Sequence, residues 1–372
     1  RQRFSWISEL INFNAPHSQI GLGSQDTADR SQTLGTGTTA VCTPAEFLRI
    51  EPGLFFTHEA YMPEDRLSTN NDPGTSTRST WRAQTAFSLY PPGIDRRICL
   101  FFKGGYTFLR NDFNDIDLLG PYNKDGEQTE SRFTWRTGVR VSVLKNLYVK
   151  ANYGYFFYPP EFSELFGDQG SILGNPELKP EKGTNRDIGL EYYVTPRNGT
   201  ALSFGFSYFY NTTEDLIQFV QNSQLTAVAK NISSATTEGF EVFSTFKLAG
   251  RIDISTNYTR QDSRNTGGIS FLDGRHIPGR PVDQFNFTTR LYPHRIVTPE
   301  YTLNLTSGNY LDSANIKKAE RREIHNARVL LSPADNLTFS LEGRNLTDNR
   351  ISDIVGYPLP GRSWFGSFAL SF

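Results

Sequence analysis

The chemistry available to this chain is read first from its titratable and nucleophilic side chains. Five histidines, His17, His58, His276, His294 and His325, are scattered, and no pair has the spacing with which one helix presents two metal ligands. No metal is therefore expected. Cys42 and Cys99 lie far apart without metal spacing. They are either one disulfide, in an oxidising compartment, or two structural thiols. No nucleophile–base pair and no phosphate loop is visible, so the chain is not read as an enzyme, and no cofactor is expected. A net charge of −1 gives no electrostatic case for nucleic acid. Three charged clusters remain. Asp112, Asp115, Asp117, Asp125, Glu127 and Glu130 face Lys124 in the stretch 111–130, which reads as a solvated acidic loop. Lys317, Lys318 and Arg321 make 308–321 basic. Arg132, Arg136 and Arg140 share one parity, and a row of that kind could attract an anionic ligand or pair with carboxylates inside a lumen, the second being preferred.

Those side chains must be held by strands. Leu202, Phe204, Phe206, Tyr208 and Tyr210 alternate with Ser203, Gly205 and Ser207. Phe133, Trp135, Val139, Val141 and Val143 do the same against Arg132, Thr134, Arg136 and Arg140. The alternation returns at 147–155, 188–194, 252–258, 285–291, 301–306 and 337–344. Period two means one apolar and one polar face. The last stretch is the plainest case: Trp364, Phe368, Leu370 and Phe372 on one parity, Ser363, Ser367, Ala369 and Ser371 on the other. Segments of ~10–12 residues, tilted, cover about 25–30 Å, the height of an outer-membrane apolar band, where soluble strands average ~5–6 residues. The chain is 13% aromatic, with 29 Phe and 17 Tyr, as girdles at two membrane interfaces would require. Mean hydropathy is −0.47, and no run is long and apolar enough for a spanning helix. Repeated Asn-x-Ser/Thr matches, as at Asn257, Asn286 and Asn304, are a by-product of polar–apolar–polar strands.

Connection lengths alternate. Short turns fall at Pro91–Asp95, Lys145-Asn146, Pro196–Gly199, Ala249-Gly250, Tyr292–Arg295 and Pro333–Asn336, with the Pro, Gly, Asn and Asp that tight turns use. Long stretches fall near 111–130, 158–184, 211–236, 262–281, 308–321 and 347–361. One end with short turns and one with long loops is the pattern of an outer-membrane barrel, periplasmic and external respectively. Residues 77–372 are thus read as barrel. Residues 1–76 are barrel strands and loops read less well: Arg3–Phe13 and Phe47–Tyr61 look like strands, and the Gly/Ser/Thr-rich Gly21–Thr39 between them gives no strand number. The expected total is roughly 15–17 strands.

Two stretches go beyond barrel style. One runs from Tyr153 through Tyr158, Pro159, Pro160, Phe162 and Phe166 to Gly174-Asn175-Pro176-Glu177-Leu178-Lys179-Pro180-Glu181. The other is Gly343-Arg344-Asn345-Leu346-Thr347-Asp348, then Gly356-Tyr357-Pro358-Leu359-Pro360-Gly361-Arg362 and the terminal Phe372. Together they resemble the barrel domain of TonB-dependent outer-membrane receptors. The resemblance covers 131–372 well and the rest in style. The residues that carry it, Asn175, Pro176, Leu178, Pro180, Glu181, Asn345, Asp348, Pro360, Gly361, Arg362 and Phe372, read as structural. The prolines stiffen a loop that cannot join a ladder.

The resemblance implies an all-β, transmembrane, antiparallel up-and-down barrel, the C-terminal part of one with ~22 strands. No plug domain or TonB box is visible, no signal peptide precedes Arg1, and the chain is expected to be an excerpt. It further implies active import across a Gram-negative-type outer membrane of a scarce ligand. A ferric siderophore is the leading ligand, ahead of cobalamin, haem or carbohydrate. Expected partners are outer-membrane lipid, the TonB–ExbB–ExbD complex, the barrel-assembly machinery through the closing strand, and the small-molecule ligand. Aromatic content in external loops selects Tyr122, Tyr158, Phe162, Phe166, His276, Tyr310 and Tyr357 as ligand candidates. Arg132, Arg136 and Arg140 are assigned to the plug. The alternatives are a passive porin with a charged constriction, or an outer-membrane barrel with another binding role.

Overall fold

A computed structural model describes residues 1–15, 24–62, 64, 66–67, 74–94, 96–113, 126–166, 172–196, 199–221, 226–267, 271–354 and 357–371. The acidic-loop residues Asp115, Asp117, Lys124 and Asp125, with His17, Tyr122 and Phe372, lie outside them. The chain forms two compact units. One comprises Arg1–Val139, Asn152–Asn185 and Thr213–Ser234; the other comprises Arg140–Ala151, Arg186–Thr212 and Ala235–Phe372.

In the first unit the chain meanders through β1 (Gln2–Ala15), β2 (Gln25–Thr39), β3 (Cys42–Ala45), β4 (Leu48–Met62), β5 (Ser76–Leu89) and β6 (Ile98–Phe113). Neighbouring strands are antiparallel, with registers such as Trp6↔Leu34, Leu34↔His58 and Phe56↔Trp81↔Phe108. β7 (Gly126–Leu144), β8 (Leu147–Tyr158), β10 (Glu181–Val194), β11 (Ala201–Gln221) and β12 (Ala227–Leu248) contribute residues to both units. α1 (Phe162–Phe166) and β9 (Ile172–Leu173) belong to the first. The second unit continues with β13 (Ile252–Asn265), β14 (Asp283–Leu291), β15 (Val297–Ser307), β16 (Arg322–Ala334), β17 (Leu337–Arg344), the short β18 (Ser352–Ile354) and β19 (Tyr357–Pro358), and β20 (Ser363–Leu370). Among the described residues, sixteen strands are eight residues or longer.

The Gly/Ser/Thr-rich stretch whose strand number the sequence left open is β2, paired on both sides. Its small residues serve packing. A Cβ at Gly35 would lie 2.6 Å from Ser5 Oγ, and one at Gly37 would lie 2.6 Å from the Phe55 ring. Three stretches read as loop also hold ladder. β6 runs to Phe113, β11 to Gln221 and β13 to Asn265, while β7 and β12 begin at Gly126 and Ala227. Polar residues occupy both faces there, which erases the period-two signal without breaking the backbone hydrogen bonds. The short turns fall where expected; Asn146 (φ 66°), between β7 and β8, and Gly250 (φ 69°), in the three-residue connection from β12 to β13, take the left-handed conformation that tight turns use. Both thiols, Cys42 and Cys99, are free.

Each unit shows one apolar and one polar row. In the second, Phe206, Phe240 and Tyr258 make a run of ring contacts at 6.2 and 5.8 Å on the apolar face. In the same unit Glu300, on the opposite parity, receives Arg290 Nε at 2.8 Å and Arg328 Nη2 at 3.0 Å across three strands. The apolar row has no protein covering: Leu54, Leu341, Trp364 and Phe368 are each about 60% exposed or more. A sheet with that outer row is stable where hydrocarbon covers it.

Substitutions on adjacent residues test this polarity. Phe204→Arg puts a guanidinium in the apolar row and is expected to cost between the ~0–1 kcal/mol of the interface and the ~2–4 kcal/mol of the midplane, whereas Ser203→Arg, on the row where Ser203 meets Thr245, is mild. Urea unfolding of the lipid-embedded protein reads the difference; equal costs would contradict the assignment of faces.

Candidate functional site

In the first unit the long-connection end is closed by a short cap. Pro159 and Pro160 end β8, because neither can donate to a ladder. The chain then turns into α1. The Glu164 carboxylate accepts the Glu161 N–H at 2.7 Å, the reciprocal half of a capping box. Burial raises the Glu164 pKa above the ordinary carboxylate value, against the lowering effect of that N–H. Tyr158 donates its hydroxyl to Glu161. The cap lands on aromatics: Phe166 stacks on Tyr61 at 5.3 Å and meets Phe113 edge-on at 5.6 Å, in a core that also holds Leu165, Leu178, Ile217 and Ala229.

The Asn-Pro segment clamps the cap down. Asn175 donates its N–H to the Glu164 carbonyl at 2.9 Å and its amide to the Ala229 carbonyl at 3.0 Å, and accepts the Glu177 N–H at 3.0 Å. Asn231 bonds both the N–H and carbonyl of Lys179. Glu181 accepts the Ile217 N–H. Pro176 and Leu178 are buried. Gly174 sits so close to α1 that a Cβ would stand 2.3 Å from the Phe166 carbonyl carbon.

Beneath the cap lies a cavity of 1110 Å³, lined on its polar row by Glu59, Arg78, Arg82, Lys103 and Arg136 and roofed by Tyr158 and Phe162. Arg78 is its most constrained member, only 5% exposed. Register places Glu59, Arg78 and Asn111 side by side. Arg78 Nε donates to Asn111 Oδ1 at 2.8 Å, and its guanidinium carbon lies 4.9 Å from the Phe162 ring centroid. Its Nη2 is buried with no hydrogen-bond partner. Glu59, Glu161 and Glu164 stand near enough to favour its charged form, and the guanidinium, held by one amide and one ring, keeps donor capacity that an incoming anion could use.

The candidates from the sequence separate by place. Tyr158 and Phe162 line this cavity, while Phe166 is core. Arg136 lines the cavity; Arg132 lies by Glu130 and over Phe157. In the second unit Arg140 packs 3.9 Å over Tyr148, and His276 stacks on Tyr310 with ring centroids 5.0 Å apart. Tyr357 opens β19. Arg78, Glu59 and Tyr61 were not selected from the sequence. The signal was present as Arg78, Thr80 and Arg82 alternating with Ser79, Trp81 and Ala83, but alternation alone does not pick out the residue a cap will bury.

The second family segment is also a clamp. Asn345 (φ 48°) donates to the carbonyls of Asn349 and Pro360 at 2.8 and 2.9 Å, and accepts the Asn349 N–H. Asp348 accepts the Arg362 N–H at 2.8 Å and Arg350 Nε at 3.1 Å. Those two donors, the backbone N–H first, hold the Asp348 pKa below its ordinary 3.8. A Cβ at Gly361 would lie 2.6 Å from the same carboxylate.

This architecture, an antiparallel meander with an apolar outer row and clamped long connections, is that of an outer-membrane receptor barrel. The family model described as TonB dependent receptor-like, beta-barrel matches residues 19–346, and the chain belongs to that family. The vitamin B12 transporter BtuB of Photobacterium profundum is 24% identical over 260 residues, 67% of this chain and 39% of its own length. The iron-regulated outer membrane virulence protein of Vibrio cholerae is 27% identical over 34% of this chain and 19% of its own. Among solved structures, the copper transporter OprC superposes at TM-score 0.75 with 14% identity, covering all of this chain and 61% of that one. The ferric yersiniabactin uptake receptor FyuA of Yersinia pestis gives 0.70 with 15% identity, over 98% and 57%. This chain thus spans about two-fifths of the first of these curated relatives. The family is one of Gram-negative outer-membrane transporters, and this chain is a barrel portion of such a receptor.

Two outcomes test the clamps. Gly174→Ala has no space against the α1 backbone, so the cap should lift; limited proteolysis should then cut within 159–180 while the barrel stays folded. Because folding lowers the Asp348 pKa, its contribution is complete above pH 3.8 and fades as pH falls through the lower folded value. Hydrogen exchange at the Arg362 N–H should lose protection over that window, and Asp348→Asn should remove the pH dependence.

Proposed function

We propose that the complete protein is an active-import receptor that takes up a ferric siderophore with energy supplied through TonB–ExbB–ExbD. The barrel-assembly machinery would read its closing strand. The observation that carries the ligand reading is Arg78: a buried guanidinium with an unused donor, facing a 1110 Å³ cavity whose lining mixes cations and aromatic rings. Ferric chelates of the catecholate class are anionic and aromatic, so they answer both features. Arg82, Lys103 and Arg136 add positive charge, and Glu59 and Glu161 disfavour an anion that fits poorly. Likeness to FyuA and to the iron-regulated protein of Vibrio cholerae agrees with a ferric ligand, and likeness to BtuB makes cobalamin the second reading.

The test is equilibrium binding by the intact receptor to a ferric tris-catecholate and to cyanocobalamin, with iron-limited growth as the functional readout. Ferric catecholate should bind, and Arg78→Gln should weaken it by about 10- to 100-fold, the value of one hydrogen bond to a charged group. Binding of cyanocobalamin alone, or affinity indifferent to Arg78, would overturn the siderophore reading.

A further inference from the structure

The second unit holds a pocket of its own, on its apolar row. Its position follows from register. β12 and β13 pair without a break from Ala235↔Asn265 to Leu248↔Ile252, so parity is preserved along their whole length. Arg260, Asp262 and Arg264 therefore share the face of Ile252, Ile254 and Tyr258, the apolar row. Phe240 pairs with Arg260 and Glu238 with Asp262, while Arg260 pairs with Asp283 on β14. The ring run Phe206–Phe240–Tyr258 lies just below, toward the short turns. In a membrane barrel such a band marks the edge of the hydrocarbon. One step past it, the lipid-facing row turns abruptly charged.

There a pocket of 760 Å³ is lined by Arg260, Arg264, Lys318 and Arg321, with His276 and Tyr310 as its wall. The wall is preformed. Asn315 accepts the His276 N–H at 2.7 Å and donates to its carbonyl at 2.9 Å, tying the two long connections together. Each carboxylate in the lining has a partner on at least one oxygen, and the second oxygen of Asp262 lies 3.3 Å from His276 Nδ1. Asp283 receives the Tyr258 hydroxyl at 2.7 Å and Arg260 Nη1 at 3.1 Å; Asp262 receives Arg264 Nε at 2.8 Å; Glu238 receives the Tyr208 hydroxyl at 3.2 Å. The cations keep spare donors. Among the described residues Lys318 makes no ion pair, its ammonium lying 5.9 Å from the Tyr310 ring centroid. Arg260 and Arg321 side chains are 57% and 59% exposed. The polarity continues along the same row: Arg321 meets Glu323 at 3.4 Å, Glu323 meets His325, and His325 meets the Tyr301 hydroxyl.

We propose that this pocket binds the phosphorylated headgroup of a lipid in the surrounding outer leaflet. Arginine forks and a lysine ammonium are phosphate-binding groups. Their place beside an aromatic band, on the face that meets lipid, selects a membrane-borne phosphate over one arriving through the lumen. The site is independent of the import reading, since none of its lining residues belongs to the Arg78 cavity. It also assigns His276 and Tyr310 a task other than contact with an imported ligand.

The experiment uses the intact receptor in nanodiscs, with native mass spectrometry counting retained lipid. Bis-phosphorylated lipid A is compared with its dephosphorylated form, and inorganic phosphate is a separate arm. Bis-phosphorylated lipid should be retained preferentially, and the exposed double reversal Lys318→Glu/Arg321→Glu should lower retention roughly tenfold. Lys247→Glu, on the polar row of β12, is the control and should change nothing; Lys318→Gln alone should give a smaller loss in the same direction if the double variant folds poorly. Equal retention of the two lipids, or retention unchanged by these variants, overturns the proposal. Displacement of the lipid by millimolar inorganic phosphate would assign the pocket to a soluble anion and overturns it equally.

Discussion

Hydrocarbon offers no hydrogen bonds, and that single constraint shapes both units. Every backbone N–H and carbonyl at membrane depth must find a partner in the next strand, so the chain can only run up and down in register. Registers such as Arg30↔Met62 through Thr39↔Gly53 and Tyr61↔Ser76 through Leu48↔Leu89 run without a slip. A one-residue shift would turn Phe56 and Trp81 inward and Arg78 and Arg82 into lipid. The charge pattern and the ladder therefore enforce each other.

Beyond the membrane that discipline relaxes, and side chains replace the ladder as the source of order. Two asparagines do most of this. Asn175 and Asn345 each hold backbone from two separate segments, and each stands beside a glycine whose missing Cβ is required by packing, Gly174 in one case and Gly361 in the other. Both family segments are thus braces for long connections. The groups that line the Arg78 cavity are carried by neighbouring strands and by the α1 cap.

The two cavities differ in which solvent they address. The Arg78 cavity lies on the polar row of the first unit; the Arg260–Lys318 pocket lies past the aromatic band on the apolar row of the second. Their chemistry is alike, cations among rings, yet the parity of the strands that build them gives them opposite audiences. Exposed arginines count as structural noise on a soluble protein. On a barrel their row decides whether they meet cargo or lipid.

Most of the architecture was legible from period two, turn composition and alternating connection lengths, because lipid imposes its alternation residue by residue. Legibility failed where apolar and polar residues do not alternate, in β2 and in the upper parts of β11 and β12, since nothing there distinguishes ladder from loop locally. The site was legible in part. Tyr158 and Phe162 stand out by their aromatic character in a proline-stiffened loop, but Arg78 becomes special only when α1 folds over it and Asn111 takes one of its donors. His276 and Tyr310 were visible as aromatic loop residues; that they wall a pocket on the lipid-facing row depends on an unbroken register across β12, β13 and β14. Sequence by itself determined the class of solvent each strand face meets. Tertiary structure alone decided which charges are buried, paired or left with a free donor, because those states depend on residues brought together from distant parts of the chain.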